Sequence, residues 1–354
     1  MTGHGLVAGP FRLRWAICAV LLIVAACARD PVETRYRFTA MGTLVEVTIF
    51  DHPPLEAEAA ARDVETLFLD LQHRWDPWDD GPLGRLNQAL AAGGSVQVDP
   101  GLAGIIDRSN DIARASGGAF DPAVGSLVKL WGFDDAANIP DRPPSSMTIR
   151  TALEAMQPLP GIWDPSTATV ATAPGVAIDL GGFAKGEAVD RAISLLQEHG
   201  VANAIVNAGG DLRAIGRRGN RPWRIGVREP RLEGVLAAIE VSGDQSVFTS
   251  GDYERFFELE GRRYHHILDP RTGYPSQGLI SVTVLADNAA TADAACTALM
   301  VSGPERWPGV ASGLGLDKVM VVEDTGVIQI TPAMHGKVRL LREDRPDLQI
   351  REIP

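Results

Sequence analysis

The stretch Tyr264-His265-His266-Ile267-Leu268-Asp269-Pro270-Arg271-Thr272-Gly273-Tyr274-Pro275 sets two imidazoles, a carboxylate, a guanidinium and a hydroxyl within twelve residues. Asp-Pro and Thr-Gly mark a tight loop, because proline fixes φ and glycine is free to take φ > 0. Such a loop can hold polar groups together against a ligand. Further along, Ala292-Asp293-Ala294-Ala295-Cys296-Thr297-Ala298-Leu299-Met300 has the small-residue pattern of a packed helix. Asp293 and Thr297 are four apart there and share one face. Two oxygen donors on one face suit a hard cation such as Mg²⁺.

Working outward, Ile178-Asp179-Leu180-Gly181-Gly182-Phe183-Ala184-Lys185-Gly186 reads as a strand, a glycine turn and a helix start, the helix running from Ala184 to His199. Free amides at a helix N-terminus attract phosphate, and glycines let the backbone come close. Lys185 in the first turn opposes the helix dipole, so an anion beside it would explain its presence. The plainer alternative is a βα turn with an exposed lysine. The spacing is not that of a Walker loop.

Asn207-Ala208-Gly209-Gly210-Asp211 reads equally well as a hairpin turn. Gly117 to Pro122 reads as a helix stop and turn, and Leu130-Trp131-Gly132-Phe133 as core. Thr249 to Tyr253 could cap a turn or approach a phosphate. Tyr36 to Phe50 alternates like a strand interrupted at Met41-Gly42-Thr43. Pro54 to His73 and Leu102 to Ser116 have helical spacing, and Trp75 to Pro82 is an aromatic, acidic loop. Strands dominate from Ala204 to about residue 285, followed by a helix from Thr291 to Val301 and a hairpin within Lys318 to Ile330. Strands and helices do not alternate regularly enough for a doubly wound sheet. The expected class is therefore α+β, one module with mixed or antiparallel sheets and packed helices.

The 354 residues are 45% hydrophobic and 22% charged, ordinary for a globular chain, and the net charge is −12. An acidic chain is a poor non-specific binder of nucleic acid, so no nucleic-acid partner is expected. Arg12 and Arg14 precede an uncharged apolar run, Trp15 to Ala26, too short to span a bilayer comfortably. The run ends Val24-Ala25-Ala26-Cys27, which looks like a bacterial lipobox. The expectation is a signal peptide over 1–26, a lipid-modified Cys27 anchored to the periplasmic side of the cell membrane, and a tether over 27–34. A single domain over 35–345 and a tail over 346–354 complete the division. A plain cleaved signal peptide is the alternative. Loss of 1–26 removes two positive charges and no negative ones, leaving −14, so the acyl chain would have to supply membrane attachment. Of Cys18, Cys27 and Cys296, only Cys296 would remain free, so no internal disulfide is expected.

Taken in order, Met41-Gly42-Thr43, GGAFDPAVGSLVKLWGF (117–133), DLGGFAKG (179–186), NAGGD (207–211), TSGDYERFF (249–257), YHHILDPRTGYP (264–275) and ADAACTAL (292–299) resemble the ApbE family of FAD:protein FMN transferases. The resemblance covers roughly residues 36–335. It implies an ApbE-type fold with FAD held in a cleft between two lobes, and Mg²⁺ as cofactor. It also implies FAD contacts at Met41, Ala119, Phe120, Asp121, Asp179, Lys185, His266 and Ile267, with Trp78 taken for the ligand-facing tryptophan. Metal ligands are implied at Asp293, Thr297 and the Gly182 carbonyl. Cys296 stands where some relatives carry an acid, and it is a poor Mg²⁺ ligand.

The reaction so implied is transfer of FMN from FAD to a Thr or Ser hydroxyl of acceptor flavoproteins in membrane redox complexes, with AMP leaving. His266 is the candidate base. An FAD pyrophosphatase yielding FMN and AMP would use the same residues. A non-catalytic FAD-binding lipoprotein would need neither metal nor base.

Overall fold

The computed structural model describes residues 1–2, 32–172, 174–341 and 349–353. Most of the expected signal peptide, Cys27 and the tether up to 31 lie outside the described residues. Nine strands form the main sheet: Glu33–Ala40, Thr43–Phe50, Ala204–Ala208, Asp211–Ile215, Gln245–Gly251, Leu279–Ala286, Val319–Glu323, Val327–Ile330 and Gln349–Glu352. They lie side by side in chain order. Every neighbouring pair is antiparallel except the last, where Gln349–Glu352 runs parallel to Val327–Ile330. Both ends of the expected domain therefore shift. Glu33 and Thr34, expected in the tether, pair with Phe50 and Ile49, and residues 349–352, expected in the tail, complete the sheet.

Alternation puts the two faces to different uses. Val319 and Val321 face a helical layer together with Val45, Val47, Val206, Val282 and Val284. Met320 and Val322 face the other way, onto Trp223, Ile225, Ile239 and Val241 of a three-stranded sheet. A register shift between Leu279 and Ser281 exchanges the faces within one strand, so Ile280 and Val282, two residues apart, belong to different cores. The helical layer comprises Pro54–Trp75, Pro100–Ala115, Gly181–Glu198 and Ala289–Gly313. A third, aromatic core gathers Trp131, Phe133 and Phe257 with Tyr264 and Tyr274, so Leu130 to Phe133 serves mainly as core.

Two local expectations change. Tyr36 to Phe50 is two strands rather than one, because Met41 (φ 51) and Gly42 (φ 71) form a two-residue hairpin turn. The glycine-turn helix begins at Gly181, not Ala184. Asp179 Oδ1 accepts the Gly181 N–H at 2.7 Å and so starts the helix early. Gly181 and Gly182 are absent from the positive-φ glycines, so their value is close approach, not conformational freedom. The last long helix breaks at Gly303 (φ 73) before Pro304, close to the expected end at Val301.

Candidate active site

Two helices meet at the heart of the site. A Cβ on Gly186 would collide with the Ala289 carbonyl, so only glycine allows the Gly181–Glu198 helix to come this close to the Ala289–Gly313 helix. Asp190 then caps the second helix, accepting the Ala289 and Ala290 N–H groups at 2.9 and 3.0 Å and pairing with Arg213. In return, Asp293 Oδ2 accepts the Gly186 N–H at 2.9 Å. Helical register directs that same N–H at the Gly182 carbonyl, so Asp293 competes for it.

One turn on, Thr297 Oγ1 lies 3.0 Å from where a Gly182 Cβ would stand, with Phe120 Cε2 at 3.3 Å. The fold therefore brings Gly182, Asp293 and Thr297 together, as the ligand set requires. Cys296 points elsewhere: its Sγ donates to the Phe248 carbonyl at 3.3 Å, and burial pushes its thiol well up.

Asp293 is buried, and burial raises its carboxyl to about 6. The Lys185 ammonium and the Gly186 amide oppose that rise, while the Asp211 carboxylate adds to it. A buried carboxylate beside a hydroxyl and a glycine corner is a hard-oxygen donor set that fits Mg²⁺.

The anion beside Lys185 is the protein's own: its Nζ bonds Asp211 Oδ2. Burial alone would lower the Lys185 ammonium, but Asp211 and Asp293 more than offset it and it stays charged. Asp211 Oδ1 accepts the Thr249 N–H at 2.9 Å. It follows a Gly209-Gly210 turn whose φ angles, 74° and 108°, suit a two-residue hairpin. Gly209 donates to the Leu44 carbonyl at 3.0 Å, so this turn lies against the Met41 turn. The Met41 amide is held by Gln72 Oε1 at 2.5 Å.

On the opposite side, Asn87 makes two 2.8 Å bonds to the backbone of Ile178 and one of 3.3 Å to the Pro77 carbonyl. This fixes the Trp78 loop beside Asp179. Trp75 is buried beneath Arg191, whereas Trp78 is half-buried with Lys129 Nζ 5.6 Å from its ring. Trp78, the expected ligand-facing tryptophan, is thus the more exposed of the two.

The expected FAD contacts divide by burial. Met41, Trp78, Asp179, Lys185 and His266 are half-buried; Ala119, Phe120, Asp121 and Ile267 are buried. Asp121 Oδ1 accepts the Ala123 and Leu159 amides at 2.9 and 3.1 Å, and burial raises its carboxyl. Its carboxylate therefore shapes the loop, and Phe120 packs on Gly182. Ala119, Phe120 and Asp121 are thus buried in this structure, with Phe120 against the Gly182 corner.

The two histidines differ. His265 is buried, with Nε2 2.9 Å from the Ser276 carbonyl and Nδ1 accepting the Ile267 N–H at 3.3 Å. It staples the loop closed. His266 donates its backbone N–H to the Arg255 carbonyl at 3.0 Å. Its Nδ1 is buried with no hydrogen-bond partner among the described residues. Burial, then Arg255, His265 and Lys185, push His266 well below the usual imidazole range. Arg271 forks onto Asp269 and reaches the Val301 carbonyl at 3.1 Å, tying the histidine loop to the Asp293 helix. Arg255, Asp211, Asn87 and Asp190 were not singled out from sequence, because their partners are far away along the chain.

The ApbE family model matches residues 41–320. An FAD:protein FMN transferase of Rhodobacter capsulatus is 38% identical over 342 residues, covering 95% of this chain and 65% of its own length. One of Treponema pallidum is 36% identical, covering 85% and 87%. Among solved structures, the ApbE protein of Thermotoga maritima superposes with a TM-score of 0.79 at 34% identity, covering 87% of this chain and all of that one. The flavin transferase ApbE of Vibrio cholerae gives 0.76 at 27% identity with the same coverage. With the fold, the paired helices and the motif order in agreement, the chain belongs to the ApbE family.

Proposed function

We propose that this chain transfers the FMN part of FAD to a Thr or Ser hydroxyl of an acceptor flavoprotein and releases AMP. The observation that carries the reading is the meeting of Asp293, Thr297 and Gly182 beside Lys185 and His266. Relatives named FAD:protein FMN transferase support it. Asp293, Thr297 and the Gly182 carbonyl would hold Mg²⁺. When bound, the ion neutralises diphosphate charge and makes AMP a better leaving group.

The chain's own groups do the rest. Lys185 adds a fixed positive charge, anchored by Asp211. Met41 and Trp78 line the FAD cleft, against the flavin or the adenine. His266, held neutral, takes the proton of the attacking hydroxyl. FAD brings two negative charges next to that imidazole and raises its basicity where it is needed. The bond formed joins the acceptor oxygen to the FMN phosphorus, and the bond broken joins that phosphorus to the AMP oxygen.

Incubation with FAD, Mg²⁺ and an acceptor domain tests this. Flavin fluorescence on the acceptor in a denaturing gel supports transfer. Free FMN with AMP would instead mean hydrolysis, and no AMP would mean binding alone.

The raised Asp293 carboxyl gives a pH signature. Its folded value of about 6 lies above the unfolded one, so the ion-free protein loses stability as pH rises toward 6. Metal binding needs the ionised form and has the opposite sign. The Mg²⁺-induced rise in melting temperature is expected to be full above pH 7 and to fade as pH drops through about 6. A rise independent of pH between 5 and 8 would remove Asp293 from the ligand set.

The location reading is also ours: Cys27 carries an acyl anchor that keeps the enzyme on the periplasmic face of the membrane, near exported acceptors. Its support is the Val24-Ala25-Ala26-Cys27 sequence after an apolar run. Cys27→Ser is expected to move the protein to the soluble fraction. Retention on membranes after a carbonate wash would refute the anchor.

A further inference from the structure

Arg255 is the one half-buried arginine, among the described residues, with no carboxylate within ion-pair distance. Arg213, Arg231 and Arg271 each grip an aspartate. The Arg255 guanidinium has a single hydrogen-bond partner among the described residues, the Phe133 carbonyl at 3.0 Å. Asp179 and Glu254 lie near enough to act on its charge but form no ion pair with it. Burial outweighs them, so this guanidinium is held below the ordinary arginine range, whereas Arg213, Arg231 and Arg271 are all raised. A guanidinium does not discharge by losing its proton. A buried charge without a partner is costly unless a ligand supplies one.

The position says which ligand. The Arg255 carbonyl accepts the His266 N–H at 3.0 Å, and the guanidinium stands near enough for its charge to act on the His266 ring. One N–H donor is spent on Phe133, and four remain of five. A planar fork with free donors matches phosphate oxygens in two-point contact. We propose that Arg255 grips the FAD diphosphate beside the phosphorus under attack, as a binding residue that also sets the register of substrate against His266. The proposal rests on the reading that FAD occupies this cleft.

The test uses the full chain as wild type, Arg255→Gln and Arg255→Lys. Binding of FAD and of riboflavin, which has no phosphate, is followed by flavin fluorescence, and the melting temperature of each ligand-free protein is recorded. A lost charge-assisted contact predicts FAD binding weakened on the order of 10- to 100-fold in Arg255→Gln. Arg255→Lys, which keeps the charge but not the fork, is expected to lose less, and riboflavin binding to stay unchanged in both. Unchanged FAD affinity overturns the proposal. So does an equal loss for FAD and riboflavin, the result expected if Arg255 merely props the Phe133 segment. Should Arg255→Gln fail to fold, the FAD-to-riboflavin preference of Arg255→Lys decides in the same way. A wild-type chain that binds no FAD would sink the underlying functional reading, and the diphosphate grip with it.

Discussion

His266→Ala is expected to bind FAD within a few-fold of wild type and yet to lose transfer by about 10²–10⁴-fold, the usual cost of removing a positioned base. The fold spends little on this side chain: Nδ1 is buried without a partner, and only the backbone of His266 is anchored, to Arg255. Removing the ring should therefore leave the loop intact. The neighbouring imidazole is different, because His265 bonds both the Ser276 carbonyl and the Ile267 amide. Burial and the charges of Arg255 and Lys185 keep His266 neutral across physiological pH, so it can accept a proton without first losing one. Single-turnover transfer to an acceptor domain measures the chemical step free of product release. A wild-type rate in that assay would take His266 out of the mechanism.

Asp293→Ala is expected to lose transfer by on the order of 10³-fold or more and to lose the Mg²⁺-dependent thermal shift, since a charged ligand at the reacting diphosphate is removed. Its stability cost should be small. Asp293 is ionised against the cost of burial, and the Gly186 amide it binds has the Gly182 carbonyl as an alternative partner in helical register. The ligand-free variant should melt within a few degrees of wild type. A collapse in melting temperature would recast Asp293 as a brace between the helices. Full activity would refute the metal assignment.

Much of the candidate site was legible because its residues cluster in short stretches of sequence. Asp293 and Thr297 share a helix face at fixed spacing, and the glycine corner and the histidine loop are short motifs. What could not be read depends on long-range pairing. Lys185 was noticed for its awkward place in the helix, but its partner Asp211 comes from another hairpin. Asn87, far from Ile178 along the chain, gave no sign that it would pin the Trp78 loop. The burial of Asp121 against the Leu159 amide could not be inferred from the 117–122 turn motif. The α+β class followed from irregular alternation, but the order of strands did not. The Met41 turn was missed because a non-glycine residue at positive φ carries weak local signal.

The sheet is laid down in the order of translation, each strand beside its predecessor in the sheet despite excursions into helices and smaller sheets, which keeps pairing simple. The cleft has no such economy: its walls come from the Met41 hairpin at one extreme and the Thr297 helix at the other, with everything between needed to align them. A half-made or unthreaded polypeptide would thus be chemically silent toward flavin.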